Sequence, residues 1–417
     1  MRLLFIRILI QVMNGLMGMG LGILTARWLG TEARGALSLL LLLPYFGGVL
    51  LTLGMNDAAP YLVNRLGVDV RDITRFFFQY SVAVGGIACA ALGIGIFTNG
   101  QRVWGYHFDF LLAFFAAILL LCRLSSMLGR GLLMTTQNYK TTIWLDFAES
   151  VLPLIFFLSF SIAFGSSLHG AVLAYLLSAL FQMIAIAILI RPKGAGFINP
   201  SRPLDIFRKS AAYGTQTLLR SIGGIVLQRA DFFLVGAMLG SSALGVYSVA
   251  NTIAEAVLRI PDAASWLLGP KVSRETEQEA VRTTNKFLML IFGLTAISAL
   301  FAGLIAPSFV KHFIGAKFIG VATVLPAILF GVTISVIYKI LGSSLIGRGF
   351  AFRVAGGTWI GASVMLVLDV LLLPKFGLLG AGIAACIGYS INSAWVAFSY
   401  MQKMPKFVGK NICDVAN

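Results

Sequence analysis

Apolar runs of about 20 residues recur along the whole chain, and none of them alternates residue by residue between apolar and polar side chains. As a helix, a run of that length crosses the ~30 Å hydrocarbon core of a bilayer. A barrel strand needs about 9–11 residues and an in/out alternation. Lipid offers no partner for a free backbone amide, so a spanning segment is a helix or part of a closed barrel. The pattern selects helices. It predicts twelve spans, at 4–24, 36–56, 76–97, 109–129, 142–164, 169–190, 212–238, 246–268, 287–307, 320–342, 355–373 and 379–401. The first follows Arg2 in the manner of a secretory leader, but it carries Arg7, Gln11 and Asn14 and has a repeat partner in span seven. It is read as a helix.

The repeat lies in short glycine motifs. Leu29-Gly30-Thr31-Glu32-Ala33-Arg34-Gly35 has a degenerate copy 210 residues later, Leu239-Gly240-Ser241-Ser242-Ala243-Leu244-Gly245. Gly170-Ala171 recurs as Gly380-Ala381, and Gly129-Arg130-Gly131 as Gly347-Arg348-Gly349, 218 residues on. Six spans per half bring the chain back to its starting side, so both halves enter the membrane in the same sense. A pseudo-twofold axis along the membrane normal, with a cavity between the halves, follows from that parity. The expectation is an all-α integral membrane protein of about twelve transmembrane helices in two six-helix lobes. The lobes are 1–190 and 212–401, with a linker at 191–211 and a tail at 402–417. The segment 269–286 mixes Glu275, Glu277 and Glu279 with Arg274, Arg282 and Lys286, and reads as a short surface helix.

Composition agrees. Hydrophobic residues are 58% of the 417, charged residues 12%, and mean hydropathy is +0.90, against about 25% charged for soluble domains. With the N-terminus inside, 20 of the 32 Lys and Arg fall in inner segments, 6 in outer segments (Arg27 and Arg34 among them) and 6 within spans. That asymmetry places both termini in the cytoplasm. The net charge of +16 is accounted for by topology and anionic headgroups, and no nucleic-acid partner is needed. Cys89, Cys122, Cys386 and Cys413 have no disulfide or metal spacing, and His107, His169 and His312 lie in three separate outer loops. The outer loops are too short for a catalytic domain, and no phosphate-binding loop or zinc-helix motif is present. A transporter is expected rather than an enzyme, with no cofactor.

Charges placed within a bilayer cost about 2.5–3.5 kcal/mol on insertion scales, so they face a protein interior or a wet cavity. Arg7, Gln11, Asn14 and Gly18 fall on one face of span one, and Thr217, Arg220, Gly224, Gln228 and Asp231 on one face of span seven. Equivalent polar faces point to a shared cavity, with snorkelling as the alternative for Arg7. Glu255 and Arg259 are spaced for an i,i+4 ion pair. Asp146 and Glu149 share a face of span five and either bind a coupling ion, H+ or Na+, or pair with Arg123 or another basic residue of a neighbouring helix. Asp369 and Lys339 sit near span ends and read as interfacial. The basic set Arg7, Arg123, Arg220 and Arg229 points to an anionic substrate, since guanidinium forks suit phosphate oxygens.

The stretch Thr25-Ala26-Arg27-Trp28-Leu29-Gly30-Thr31-Glu32-Ala33-Arg34-Gly35 resembles the first outer loop of bacterial polysaccharide flippases. These belong to the multidrug/oligosaccharidyl-lipid/polysaccharide exporter superfamily. Arg229-Ala230-Asp231, Leu239-Gly240 and Gly245-Val246-Tyr247-Ser248-Val249-Ala250 resemble the start of that family's second half. The resemblance implies a V-shaped two-lobed bundle in the bacterial cytoplasmic (inner) membrane. By alternating access it would move an undecaprenyl-diphosphate-linked oligosaccharide to the outer leaflet, alongside polysaccharide polymerase and glycosyltransferase machinery. Cationic cavity residues would attract the diphosphate while the polyprenyl tail stays in lipid. Two alternatives are a cation-coupled multidrug exporter, which often relies on an acid in span one where this chain has Arg7, and a membrane polysaccharide polymerase or ligase.

Overall fold

The computed structural model describes residues 2–64, 66–135, 139–190, 203–273 and 275–403, and every regular element among them is a helix. In chain order these are α1 (Arg2–Leu51), α2 (Met55–Asn64), α3 (Val70–Trp104), α4 (Phe110–Thr135), α5 (Tyr139–Phe164) and α6 (Leu168–Ile190). The second half contributes α7 (Pro203–Val272), α8 (Glu277–Phe309), α9 (Val321–Gly347), α10 (Ala351–Phe376) and α11 (Leu378–Gln402). A π turn at Val310–Ile314 and a 3-10 turn at Ala316–Phe318 join α8 to α9.

Among the described residues ten helical stretches are long and apolar enough to cross a membrane. Two of these are double. At about 1.5 Å per residue, the 50-residue α1 would run about 75 Å if straight, more than twice a bilayer core. It is broken at Gly30 (φ 80°, ψ 178°), and the 70-residue α7 is broken at Gly240 (φ 84°, ψ 173°). That corner of backbone space is essentially closed to residues with a Cβ. The first and second spans therefore meet at one glycine rather than in a loop, as do the seventh and eighth. The count of twelve spans rests on reading each broken helix as two.

The repeat is in the backbone as well as in the residues. Gly30 and Gly240 share their dihedral angles, and residues 21–30 and 231–240 bury and expose the same positions in the same order. Helices α1–α6 form one lobe and α7–α11 the other, with the largest interface between α1 and α7. In lipid such an interface depends on close packing of small residues rather than on hydrophobic expulsion. At the end bearing the two breaks, a Cβ on Gly35 would lie 1.8 Å from the Ser241 carbonyl oxygen, and one on Gly245 would lie 1.8 Å from that of Thr31. These approaches are reciprocal, because 35 pairs with 245 and 31 with 241 in the repeat. Ser242 adds a hydrogen bond to Thr31 Oγ1 at 2.9 Å. At the opposite end Gly54 (φ 71°) packs against Gly214, where a Cβ would meet the Gly214 carbonyl oxygen at 2.0 Å.

Two connections differ from the expectation. Residues 191–202 lie outside the described residues, but the expected linker is helical from Pro203 onward and continuous with α7. Its first turns are apolar on one side: Ile206 joins a core with Met55, Ile73 and Phe77, and the Phe207 ring lies 6.4 Å from those of Phe76 and Tyr80. The start of α7 is thus held by the first lobe. The expected surface helix at 269–286 is absent as a separate element. The chain turns after Val272, and Thr276 caps α8. Its hydroxyl accepts from the Glu279 N–H at 3.4 Å, while the Glu279 carboxylate accepts from the Thr276 N–H at 3.1 Å. This reciprocal box starts the helix at Glu277, and the charged stretch forms the first turns of a spanning helix.

Candidate functional site: a cavity between the lobes

A cavity of about 720 Å³ separates α1 from α7, with Arg123 and Met127 of α4 and Tyr175 of α6 on one wall. It runs from Arg34, beneath the glycine breaks, to Asn56, Asp57 and Ser221 towards the Gly54 contact. Among the described residues four arginines line it, Arg34, Arg123, Arg229 and Arg259, against two carboxylates, Asp57 and Glu255. The cavity is cationic.

Of the site residues expected from sequence, Asn14, Arg123, Gln228, Arg229, Glu255 and Arg259 line this space, together with Gly18 and Gly224. Gln11 and Thr217 do not. The side chains of Arg7 and Arg220 lie outside the described residues. Asp146 and Glu149 stand behind the wall as ion-pair partners. Glu149 accepts from Arg123 and, at 2.5 Å, from Arg130. Arg130 also reaches Asp146 at 2.7 Å and the Gln182 side-chain oxygen at 2.9 Å. Helices α4, α5 and α6 are stapled by this network, and Asn14 of α1 donates to the Asp146 carbonyl at 3.3 Å.

The expected i,i+4 pair of Glu255 with Arg259 does not form. Glu255 bonds Arg229 at 2.8 Å, and the Arg229 guanidinium also lies 5.4 Å from the centre of the Phe232 ring. Arg259 has no carboxylate within 4 Å among the described residues. Its stem packs across the lobes on Gly15, where a Cβ would sit 3.2 Å from Arg259 Cγ. Asp231 is buried and faces away from the cavity, accepting from the Tyr247 hydroxyl and from the Phe232 N–H at 2.9 Å.

Asp369 and Lys339, read as interfacial, are interior residues. The Asp369 side chain is fully buried, beside Asp231, with no hydrogen-bond partner for either oxygen among the described residues. Lys339 pairs with Asp262 and is 11% exposed. Helices α9 and α10 run on to Gly347 and Phe376, so positions that look terminal in the apolar pattern are well inside.

Arg34 is the cavity residue that the sequence reading placed elsewhere, in an outer segment. It follows the Gly30 break by four residues, is 7% exposed and lies directly beneath the Gly35 contact. Its Nη1 donates to Thr25 Oγ1 at 2.9 Å and its Nη2 to Thr252 Oγ1 of the opposite lobe at 3.4 Å. Both hydroxyls spend their own proton on helix carbonyls, Thr25 on Leu21 at 2.7 Å and Thr252 on Ser248 at 2.8 Å, so each offers a lone pair. Among the described residues Arg34 Nε is buried with no partner. Among the described residues no carboxylate lies within 4 Å of this cation. Burying an ion costs several kcal/mol even after relaxation, and two neutral hydroxyls offset only part of that. Tyr45 and Tyr175, also missed, bring phenol hydroxyls to the same wall. The equivalent of Arg34 in the second half is Leu244, fully buried. An apolar residue at the matched position was the signal that position 34 faces inward.

Comparison with known proteins places this geometry. Residues 2–261 match the polysaccharide biosynthesis protein family. The chain belongs to that family. Among characterised relatives it is 23% identical over 221 residues to a probable low-salt glycan biosynthesis flippase of Haloferax volcanii. The alignment takes in 51% of this chain and 47% of the relative, so about half of each is compared. Among solved structures, the lipid II flippase MurJ in an inward closed conformation superposes with TM-score 0.74 at 14% identity, over 95% of this chain and 87% of that one. The inward-facing conformation of a multidrug resistance MATE family transporter of the MOP superfamily gives 0.72 at 15% identity, over 96% and 98%. At these identities the likeness shows the fold alone: this member of the polysaccharide biosynthesis family has the same two-lobed helical architecture.

Proposed function

We propose that the chain is a flippase for an undecaprenyl-diphosphate-linked oligosaccharide, moving it by alternating access from the inner to the outer leaflet of the cytoplasmic membrane. The observation that carries this reading is the cavity between the lobes, where among the described residues four arginines stand against two carboxylates and one of the four, Arg34, is buried with no carboxylate within 4 Å. A diphosphate supplies the missing charge, and guanidinium groups match its oxygens. Family membership supports a role in glycan assembly, and the asymmetry of Lys and Arg in the loops supports cytoplasmic termini, with the glycine breaks facing outward. The partners on this reading are membrane lipids and the enzymes that build and polymerise the glycan. The MATE-like fold makes a cation-coupled drug exporter the second reading, but an excess of fixed cations in the cavity repels organic cations.

The test is transport by protein reconstituted in liposomes carrying a fluorescent lipid-linked oligosaccharide in both leaflets. The glycan should become accessible to an outside reagent at a rate that depends on the protein. No protein-dependent movement under a proton gradient, a sodium gradient or a membrane potential sinks the reading.

A further inference from the structure

The Arg34 side chain is bonded unevenly. Nη1 is fixed on Thr25 within its own lobe at 2.9 Å. The edge formed by Nε and Nη2 is nearly idle, because among the described residues Nε is buried without a partner and Nη2 makes one long contact of 3.4 Å to Thr252. That edge is the side-on fork of a guanidinium, two parallel N–H groups that a phosphate oxygen pair accepts together. The contact it makes now is the one that reaches the other lobe, directly beneath the place where Gly35 and Gly245 bring the lobes into backbone contact.

We propose that Arg34 is the positioning residue through which a bound phosphate group loosens the lobe–lobe seal at the Gly30/Gly240 end of the cavity. A hydrogen bond of 3.4 Å is weak, since the common N–H···O distance is about 2.9–3.0 Å. A charge-assisted fork to phosphate forms at about 2.7–2.9 Å and is roughly twice as strong as a neutral bond. A phosphate oxyanion that enters the top of the cavity therefore takes Nη2 from Thr252 and gives Nε its first acceptor. Nη1 stays on Thr25, so the guanidinium and its ligand remain with the first lobe while the second is released. Substrate arrival and seal opening then share one side chain. The lobes are not equivalent here, because the matched position in the second carries Leu244.

This inference rests on the proposed function only in requiring a phosphate-bearing ligand, and its test reads the seal rather than transport. Positions 27 and 237 are exposed equivalents beside the two breaks. Spin labels at Arg27→Cys and Ala237→Cys, with the four native cysteines replaced by alanine and the protein in nanodiscs, report the separation of the lobes. Inorganic pyrophosphate, or undecaprenyl diphosphate supplied in the disc, should raise the long-distance population at least about threefold. A response to the lipid alone assigns the site to a lipid-borne diphosphate, and a response to both assigns it to the diphosphate group itself. Arg34→Lys keeps the charge but loses the fork and should need at least tenfold more ligand. Thr252→Val keeps the fork and removes its competitor. It should populate the long distance without ligand and bind pyrophosphate several-fold more tightly. A seal that moves with pyrophosphate in a protein that flips no lipid-linked sugar supports this inference while ending the flippase reading. Distances unmoved by either diphosphate, Arg34→Lys responding at the wild-type concentration, or Thr252→Val matching wild type in both readouts would overturn it.

Discussion

The two lobes share a backbone frame and differ in what they place on it. Both turn at a glycine in the same dihedral region, 210 residues apart, and each offers a second glycine to a carbonyl of the other. On that frame the first lobe carries Arg34, and a staple in which Glu149 serves both Arg123 and Arg130. The second carries Leu244, an isolated Arg229–Glu255 pair at the cavity and two neighbouring buried aspartates. The repeated parts are those that set geometry, and the unrepeated parts carry charge. The repeat accounts for how the lobes meet, while the cavity's cationic excess comes from unrepeated residues, Arg34 and Arg123 in the first lobe and Arg229 and Arg259 in the second.

The largest expected effect tests the shared frame. Gly35→Ala and Gly245→Ala each drive a methyl group to 1.8 Å from a carbonyl oxygen of the opposite lobe, and helix backbones cannot yield as a flexible side chain does. Overpacking of this kind costs about 1–3 kcal/mol, taken here from the lobe-closed state. Both variants should shift spin labels at 27 and 237 to longer distances and slow transport, to within about twofold of each other. If one substitution is tolerated and the other is not, the reciprocity is broken.

Next come the staples, where the lobes should differ. Breaking a fully buried ion pair costs about 3–5 kcal/mol. These side chains keep 23–34% exposure, which reduces the expected cost to about 1–2 kcal/mol once solvent screening is allowed for. Glu149→Gln leaves Arg123 and Arg130 adjacent with less counter-charge, whereas Glu255→Gln frees one arginine towards the cavity. Thermal unfolding in detergent should show the first to be the more harmful. Equal losses would mean that the first staple is not a network.

A smaller and opposite pair lies inside the second lobe. Asp231→Asn gives up one of the bonds from Tyr247 or the Phe232 N–H, worth about 1 kcal/mol. Asp369→Asn removes an unbonded charge from beside Asp231 and should leave the midpoint unchanged or raise it. A clear loss at Asp369 would show that its carboxylate is held by something that these contacts do not provide.

What could be read in the sequence follows the same division. Span length, the two halves and their offset are properties of apolar runs and glycines, and they carried over into the helices. Charges were harder to place. Arg34 was assigned to an outer loop because a one-residue break is indistinguishable, in a hydropathy pattern, from a short loop. Glu255 was matched to Arg259 by local spacing, but Arg229, 26 residues earlier, lies nearer in space. Lys339 and Asp369 looked terminal because their expected spans end at 342 and 373, while the helices run to Gly347 and Phe376. Tyr45 and Tyr175 went unseen because a search for intramembrane charge passes over phenols.

The smallest prediction concerns the break end of the first lobe, where Asp109 precedes α4 and faces His169 at the start of α6, 2.7 Å from Nε2. The second lobe has Leu379 at the position matching His169, and no such link. Desolvation opposes ionisation of Asp109, but the Leu112 N–H at 2.9 Å and His169 outweigh it and hold the carboxyl below its ordinary value of 3.8. A depressed folded value means that the ionised form stabilises the fold above the ordinary value, and that this contribution fades as pH falls through the depressed one. Both side chains are more than 40% exposed, so the link is worth less than about 1 kcal/mol. Asp109→Asn should lower the unfolding midpoint slightly at pH 5, and the gap from wild type should narrow as the pH falls below 3.8. A gap that stays constant over that range would show that Asp109 acts through its N-cap geometry alone, which asparagine preserves in part, and not through its charge.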